Sequence, residues 1–270
     1  MKTQERASGA EPLTAEVWKE QDDTEVRWLG GAGFFVRARG AALLLDPCLW
    51  IGADGRAETG FSPPVLRPEE VPAGTAVLYT HSDEDHLGRR TAQALAGAAF
   101  YGPAPCARAL SEIGREAVRV IRPGEKFAVG CIEIEAIPAD HGWQSMDVKK
   151  YGAPFGPEDC VGYILRTPHA KLLFPGDTRL MPQHRALPDD FDAMAFDVSA
   201  DPWHMGARDG AELARHLSRA KLLPCHFGTY DAPEAVPHNG SLILAREALG
   251  NAAARLASDA IGAPVIFGAE

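Results

Sequence analysis

The sequence lacks the marks of a secreted or membrane-spanning protein. It has five cysteines, an odd number, and they are scattered without any C-x-x-C pair. This argues against a disulfide framework and favours a reducing compartment. No stretch approaches the ~20 consecutive apolar residues of a membrane span, and residues 1–23 contain no apolar segment of the kind found in signal peptides. We therefore expect a cytoplasmic protein.

Basic residues are also scarce relative to acidic ones. Lys and Arg number 27 against 37 Asp and Glu, so the formal net charge is −10. Because binding to nucleic acid or to an anionic membrane needs a basic surface, we expect neither as a partner. We expect a small-molecule substrate instead, and a local basic pocket would still allow it to be anionic. Assembly into a homo-oligomer is compatible with the sequence.

The order of apolar runs predicts a layered α/β-type chain without an internal domain boundary. A polar arm at residues 1–23 precedes one domain at 24–270. Apolar and β-branched runs predict strands at 25–29, 34–38, 42–45, 76–79, 99–101, 118–121, 132–137, 161–165, 171–174, 193–196, 221–224 and 264–267. Helical patterns cover 91–96, 104–115, 209–218 and 242–257. The glycines at 30–33 are followed by a strand and not by a helix, so we interpret them as a turn and not as a nucleotide-binding loop.

Four side chains that bind metals in proteins lie within six positions: His81, Asp83, Asp85 and His86. They follow the predicted strand 76–79 and precede the predicted helix 91–96. In open α/β sheets, ligands bind where strands end. The four side chains can therefore converge from one loop onto one or two cations. An acidic surface turn with chance histidines is the alternative interpretation.

Three later strands end in the same way. His141 follows the strand 132–137, Asp177 follows 171–174, and His226 follows 221–224. One histidine after a strand is usually a loop residue, but four strand ends that carry His or Asp are hard to explain by chance. Together they supply seven candidate ligands, enough for two cations with open positions for water and substrate.

This pattern resembles the metallo-β-lactamase superfamily, and the resemblance runs from Trp28 to the end of the chain. Residues 28–34, 44–47, 203–205 and 223–230 resemble one branch in particular, which contains L-ascorbate-6-phosphate lactonase and the N-acylphosphatidylethanolamine-hydrolysing phospholipase D. The resemblance implies an α+β fold, an αββα sandwich of two mixed β-sheets flanked by helices. It also implies that the site lies at one edge of the two sheets.

The resemblance further implies how the ligands divide between two divalent metal ions. One ion would take His81, Asp83 and His141, the other would take Asp85, His86 and His226, and Asp177 would bridge them. A water shared by both ions would lose a proton near neutral pH and attack a carbonyl carbon or a phosphorus. Asp85 would also orient that water. Zinc is the first expectation, with manganese or iron as alternatives.

Two positions depart from the pattern of the superfamily. Asp83 stands where a second histidine is usual, and an extra carboxylate favours harder cations such as manganese or iron. It could equally leave the first site weak or empty. Gly31 stands where a histidine is frequent after the first strand, which puts a supporting role at that position in doubt.

Residues outside the ligand set are candidates for other roles. His204 precedes a predicted helix and would act as a general acid, or else cap and pack. Three side chains are candidate substrate contacts: Trp143, Arg179 and Tyr230. Lys149 and Lys150 could hold an anionic group, although solvated surface is the better interpretation for both.

The predicted function is a metal-dependent hydrolase that uses a metal-bound hydroxide to cleave a lactone or another ester or phosphoester of a small molecule. A lactonase-like or phosphodiesterase-like activity fits, and the branch resemblance favours a lactone. The alternative is a diiron-type oxidoreductase on the same fold, which metal identity and oxygen uptake would reveal. A scaffold that keeps the fold without turnover is a third hypothesis.

Overall fold

The computed structural model describes residues 4–49, 64–95, 97–231 and 240–268, and within them the chain forms two mixed β-sheets. In spatial order, the first sheet consists of β13 (Pro264–Phe267), β1 (Thr24–Gly30), β2 (Gly33–Ala38), β3 (Ala41–Leu45), β4 (Ala76–Leu78), β5 (Ala99–Gly102) and β6 (Val118–Val120). The second sheet consists of β12 (Lys221–Cys225), β11 (Ala193–Asp197), β10 (Lys171–Phe174), β9 (Val161–Arg166), β8 (Ile132–Pro138) and β7 (Lys126–Val129).

Each sheet combines an antiparallel half with a parallel half. In the first sheet β13, β1, β2 and β3 pair antiparallel, and β3 to β6 pair parallel. In the second sheet β12, β11 and β10 pair parallel, and β10 to β7 pair antiparallel. The described helices are α1 (Arg89–Ala94), α2 (Ala104–Ser111), α3 (Val148–Tyr151), α4 (Pro182–Arg185), α5 (Gly206–His216) and α6 (Leu242–Leu249). The predicted α+β fold of two mixed sheets with helices is confirmed.

The apolar runs of the central strands form the core. Leu43, Leu44, Leu172 and Leu173 have no exposed surface. Burying each such side chain contributes about 1.5–3 kcal/mol. Phe34 of β2 meets Phe174 of β10 with ring centroids 5.2 Å apart, so this contact joins the two sheets.

The predicted strands are confirmed to within one or two residues, and the differences have local causes. The exposed strand β7 was missed, since its short sequence follows a turn and lacks a buried apolar run. The predicted helix 242–257 is two elements, because Gly250 has φ +57 and ends α6, after which Gly250–Arg255 forms a 3₁₀ turn. Residue 96 of the predicted helix 91–96 lies outside the described residues.

The described part of the N-terminal arm packs against the sheets. Leu13 and Val17 are buried, and Val17 lies in a short 3₁₀ helix. The Glu5 carboxylate accepts a hydrogen bond from the backbone N–H of Leu242 at 2.9 Å, so it caps the first turn of α6. The division of the chain into an arm at 1–23 and a domain at 24–270 stays a prediction.

The topology brings polar side chains from both sheets to one place. The first sheet contributes the residues that follow β3 and β4, and the second contributes those at the ends of β8, β10, β11 and β12. Because β10, β11 and β12 run parallel, their carboxyl ends share one edge, where Asp197 is the register partner of Cys225. No helix in the described ranges is long and apolar enough to cross a membrane.

Candidate metal centre

The loop after β4 presents the first cluster of ligands. It forms a tight turn in which the carbonyl of Asp83 accepts hydrogen bonds from the backbone N–H groups of His86 and Leu87, at 3.0 and 2.8 Å. The turn buries His81 and His86 completely and leaves Asp83 and Asp85 partly exposed. All four side chains face the ends of the second-sheet strands.

The first group of ligand atoms comes from His81, Asp83 and His141. The Nε2 atoms of both imidazoles lie 3.4 Å from Oδ2 of Asp83. Three such atoms around one point can hold a divalent cation. The structure therefore brings together the three residues predicted for the first ion.

The second group comes from Asp85, His86, Asp177 and His226. Nε2 of His86 lies 3.1 Å from Oδ2 of Asp177, and Nε2 of His226 lies 3.8 Å from Oδ2 of Asp85. These are the residues predicted for the second ion together with the predicted bridge.

Asp177 stands between the two groups. Its Oδ2 is also 3.9 Å from Nε2 of His81 and 3.8 Å from Nε2 of His141. One carboxylate thus faces imidazoles of both groups, which is the placement that a bridging ligand needs. All seven predicted ligands converge, whereas their binding to metal stays a prediction.

The nitrogen atoms of the site fit a cation. Nε2 of His81, Nε2 of His86 and Nε2 of His226 are buried and make no hydrogen bond within the described residues. Buried polar atoms without a partner are costly and rare. A divalent ion that accepts their lone pairs removes this cost, and imidazole with carboxylate is a donor set that zinc, manganese and iron all accept.

Side chains and carbonyls behind the ligands fix the orientation of the imidazoles. Nδ1 of His86 donates to Oδ2 of Asp46 at 2.9 Å, and Nδ1 of His141 donates to the carbonyl of Trp203 at 3.1 Å. Nδ1 of His81 lies 3.0 Å from the Thr80 hydroxyl, which itself donates to Asp46 at 2.6 Å. With each Nδ1 engaged, each Nε2 keeps its lone pair for a cation.

A second carboxylate, Asp197, holds two histidines. Nδ1 of His204 donates to its Oδ2 at 2.5 Å, and Nδ1 of His226 lies 3.2 Å from its Oδ1. Nε2 of His204 then faces Oδ2 of Asp177 at 3.3 Å. The atoms of Asp177, Asp197, His204 and His226 are close enough together to form a third possible ligand group.

Asp46 and Asp197 were absent from the predicted site. Asp46 directly follows the apolar strand β3, and Asp197 is the last residue of the apolar strand β11. The signal that selected Asp177 was therefore present at both positions. Both carboxylates lie behind predicted ligands, and Asp197 also belongs to the third possible ligand group.

The carboxylates and imidazoles of the site stabilise each other's charged forms. Burial alone would raise the pKa of Asp177, but the imidazoles of His204, His226 and His86 outweigh it and hold that pKa well below its usual range. Burial likewise opposes a charge on His204, whereas the carboxylates of Asp177 and Asp197 raise its pKa to about 10. A cation bound at these atoms competes with protons for the same lone pairs, so metal binding releases protons.

Comparison with known families agrees with this geometry. A model described as the β-lactamase superfamily domain matches residues 42–227, which is more than half of the chain. The chain belongs to this superfamily. The metallo-β-lactamase superfamily predicted from the ligand pattern is thereby confirmed, while the resemblance to one branch within it stays a prediction.

Curated relatives and solved structures also match most of the chain. A UPF0173 metal-dependent hydrolase from Methanopyrus kandleri is 27% identical over 219 residues, which are 78% of this chain and 87% of that protein. An isothiocyanate hydrolase from Delia radicum gut bacteria has the same fold, with a TM-score of 0.71, 18% identity and coverage of 91% of this chain and 100% of that chain. CmlA, a diiron β-hydroxylase from Streptomyces venezuelae, shares the fold at a TM-score of 0.58 and 15% identity, over 93% of this chain and 55% of that chain.

The predicted substrate residues have partners inside the protein. Nε1 of Trp143 donates to Oδ2 of Asp83 at 2.7 Å, and the Tyr230 hydroxyl, which is buried, donates to the carbonyl of Cys48 at 2.6 Å. Arg179 forms two hydrogen bonds with Oδ2 of Asp140. Contact of these three residues with substrate stays a prediction.

The two lysines considered for anion binding lie in the exposed helix α3. Nζ of Lys150 bonds the hydroxyl of Tyr151 at 2.8 Å and lies over its ring. Tyr151 in turn packs edge-on against Trp143, with ring centroids 4.8 Å apart. The solvated-surface interpretation agrees with the exposure of both lysines.

Proposed function

We propose that the protein is a metal-dependent hydrolase that cleaves an ester bond of a small molecule. The observation that carries the proposal is the pair of ligand groups that face each other across Asp177. The likeness to proteins named metal-dependent hydrolase and to an isothiocyanate hydrolase supports it. The proposal keeps the small-molecule partner and the cytoplasmic location predicted from the sequence.

A lactone or a related cyclic ester is the favoured substrate. This preference rests on the resemblance of residues 28–34 and 223–230 to the branch that contains a lactonase. The centre itself is compatible with lactone, open-chain ester and phosphoester bonds.

Two divalent ions would be held by the two groups. His81, Asp83 and His141 would hold one, Asp85, His86 and His226 the other, and Asp177 would contact both. Ions of this kind act as Lewis acids, and they would lower the pKa of a bound water to about 7, so that hydroxide is available at neutral pH. Zinc is the first expectation, and the carboxylate of Asp83 keeps manganese and iron as candidates.

The chain itself orients the reacting groups. Asp46, Thr80 and the Trp203 carbonyl hold three imidazoles in fixed tautomers, so that no reorganisation is needed when substrate binds. Asp85, a member of the second group, is partly exposed, and its carboxylate would also accept a hydrogen bond from the attacking water.

His204 would protonate the leaving oxygen. Asp197 binds Nδ1, so the proton that can be transferred is on Nε2, which points towards Asp177. A positioned imidazole of this kind is the usual general acid in enzymes. Asp197 is thus a positioning residue that acts through His204.

The test combines metal analysis with a substrate panel. Protein purified without added metal is analysed for elements, and lactones and esters are assayed before and after chelation. Two zinc or manganese ions per chain, with hydrolysis lost on chelation and restored by the metal, are the expected result. Protein that carries no metal and takes none up on reconstitution contradicts the proposal.

A diiron-type oxidoreductase is the second candidate. The observation that favours it is the carboxylate of Asp83 within the first group, together with the fold that the chain shares with the diiron β-hydroxylase CmlA. Two irons per chain and oxygen uptake that depends on a reductant would favour this candidate. Zinc without oxygen uptake would exclude it.

A further inference from the structure

Three loops carry two of the candidate ligands and the candidate proton donor. We call them the His141 loop (residues 139–142), the Asp177 loop (175–181) and the His204 loop (198–205), since each contains the residue in its name. They begin where β8, β10 and β11 end. The relative position of the three loops therefore sets the distances between these groups of the centre.

The His141 and Asp177 loops are paired close to the ligands. The N–H of Arg179 donates to the carbonyl of Asp140 at 3.1 Å, and the N–H of Asp140 donates to the hydroxyl of Thr178 at 2.9 Å. Asp140 directly precedes His141 in the chain. Neither bond uses the side chain of Arg179 or of Asp140, so both bonds remain when these side chains are replaced.

The side chain of Arg179 reaches both of the other loops. Its Nε and Nη2 donate to Oδ2 of Asp140, at 3.1 and 2.6 Å, and its guanidinium carbon lies 4.8 Å from the ring centroid of Trp203. A guanidinium can pair with a carboxylate at its edge while its face stacks on an aromatic ring. One side chain therefore connects the Asp177 loop to the His141 loop and to the His204 loop.

Trp203 extends this connection to the imidazole of His141. Its carbonyl accepts the hydrogen bond from Nδ1 of His141, at 3.1 Å, which leaves Nε2 for a cation. The rings of His141 and His204 also meet edge-on, with centroids 5.0 Å apart. A displacement of Trp203 would therefore change the orientation of the His141 imidazole.

The ion pair of Arg179 and Asp140 orders the loops locally. The two side chains are 47% and 40% exposed, and ion pairs with this exposure contribute little to the free energy of unfolding. Removal of the guanidinium should therefore leave the fold intact and alter the surroundings of His141. This difference separates a positioning role from a role in global stability.

We propose that Arg179 is a positioning residue that holds the His141 imidazole in the orientation it needs to bind the first metal ion. It does so by connecting Asp140 and Trp203 to the Asp177 loop. This inference rests on the proposed hydrolase function, in which His141 is a candidate ligand. It replaces the contact with substrate that the sequence predicts for Arg179. A substrate contact acts only when substrate is present, whereas the positioning role acts on metal binding without substrate.

Metal affinity in the absence of substrate tests the proposal. Arg179→Met keeps the backbone hydrogen bond to Asp140 but removes the guanidinium. We expect the dissociation constant of one metal ion to rise about fivefold or more, measured by competition with a chromophoric chelator. The Tm of the metal-free protein should stay within about 4 °C. In cobalt-substituted protein, the absorption band that Arg179→Met weakens should be the band that His141→Gln abolishes.

Arg185→Met is the matched control. Arg185 donates to Glu212 at 2.6 Å, and these side chains are 51% and 49% exposed, so the pair resembles that of Arg179 and Asp140. It joins α4 to α5, and neither residue belongs to a ligand group. Its metal affinity should equal that of the unmodified protein. Unchanged affinity in Arg179→Met, or an equal loss in both variants, overturns the proposal.

A double variant tests whether the ion pair acts as a unit. Asp140→Ala removes the carboxylate and keeps both backbone hydrogen bonds of this residue. If Arg179 acts through Asp140, the combination of Asp140→Ala with Arg179→Met should lose about as much metal affinity as Arg179→Met alone, since contacting residues are not additive. Losses that multiply in the double variant contradict the proposal.

A measurement on the metal-free protein distinguishes this inference from the hydrolase proposal. The Nδ1 proton of His141, bonded to the Trp203 carbonyl, should give a slowly exchanging signal in a nitrogen-edited NMR spectrum, assigned by its absence from His141→Gln. We expect its exchange with solvent to become about fivefold faster or more in Arg179→Met, and not in Arg185→Met.

The NMR result is independent of catalysis. Faster exchange of the His141 proton in Arg179→Met supports the inference even if no ester is hydrolysed. An unchanged exchange rate, or the lack of such a proton in the unmodified protein, overturns it whether or not esters are hydrolysed.

Discussion

The indole Nε1 of Trp143 donates a hydrogen bond to Oδ2 of Asp83, with 2.7 Å between the two atoms. Asp83 stands where the resemblance to the superfamily leads one to expect a histidine. A carboxylate can rotate and bind in several ways, whereas this carboxylate is held by an N–H group from a neighbouring 3₁₀ turn, Trp143–Met146. The two residues therefore act as one unit in place of a single imidazole.

Replacing Trp143 with phenylalanine tests that unit. Trp143→Phe keeps an aromatic ring but removes the N–H, so Asp83 loses its orientation. We expect the first metal site to weaken by roughly tenfold, since partners of ligands usually contribute 10–100-fold to metal affinity. The measurement is metal content per chain during titration with a chelator.

Trp203→Phe is the matched control for this change. Nε1 of Trp203 is buried and makes no hydrogen bond within the described residues, while the carbonyl that holds His141 is unaffected by the substitution. Its metal content should follow that of the unmodified protein. An equal loss of metal in both variants would point to packing and not to the hydrogen bond.

Asp46→Asn should weaken the second metal site. The Asp46 carboxylate accepts from Nδ1 of His86 and from both the N–H and the hydroxyl of Thr80. An amide presents a donor in place of one of these acceptors, so His86 changes its tautomer or its orientation. We expect metal affinity to fall about 10–100-fold, measured by competition with a chelator. Asp192→Asn is the control, because its remaining oxygen can still accept from the N–H of Lys171.

His204→Gln should reduce catalysis without removing metal. The seven predicted ligands remain in this variant, whereas the proton donor is lost, so we expect kcat to fall roughly 100-fold or more with metal content unchanged. His169→Gln, on the turn between β9 and β10, is the control. Loss of a metal ion from His204→Gln would instead make His204 a ligand, as its proximity to Asp177 and His226 also allows.

Metal removal should destabilise the whole fold. The predicted ligands come from loops of both sheets, so an ion that binds them joins the sheets in the native state but not in the unfolded chain. At a free metal concentration of 100 times the dissociation constant this contributes about 2.7 kcal/mol, or roughly 5–10 °C in Tm. Thermal unfolding with and without chelator measures it. In Asp177→Ala the chelator should change Tm much less.

The stability of the metal-free protein should fall in mild acid because of His184. This side chain is buried, and Nδ1 accepts a hydrogen bond from the N–H of Met181 at 3.1 Å. Burial, with a smaller contribution from the charge of Arg185, lowers the pKa of His184 to about 4, from 6.5. The unfolded chain therefore binds a proton more readily below pH 6.5, and stability falls as the pH decreases from 6.5 towards 4.

His184→Asn isolates this contribution. An asparagine oxygen can accept from the same N–H, but the side chain does not take up a proton. Between pH 7 and pH 5 the unmodified protein should lose about 2 kcal/mol more than the variant, measured by urea unfolding in the presence of chelator. Parallel losses in the two proteins would show that other groups cause the acid sensitivity.

Much of the centre could be predicted because strand ends are visible in the sequence. Asp177 and His226 each follow a buried apolar run, and β10 and β12 are observed where those runs are. Parallel pairing then brings their carboxyl ends to one edge. Local patterns and sheet topology together determine this part of the site.

The remaining features depend on contacts between distant segments. The bond from Trp143 to Asp83 joins residues 60 positions apart, and the bond from Tyr230 to Cys48 joins residues 182 positions apart. No local pattern records such pairs, so both side chains were interpreted as pocket residues. The pairing of Arg179 with Asp140 likewise became visible only in three dimensions.

His226 has φ +60 and Asp46 has φ +41, a backbone region that residues other than glycine, asparagine, aspartate and histidine rarely occupy. Each position is therefore constrained twice, once by the chemistry of its side chain and once by its backbone. Glycine there would relax the backbone but abolish the contact, and a β-branched residue would satisfy neither requirement. A saturation library at these two codons should return very few active clones, and at His226 fewer than at His81, whose backbone has no such restriction.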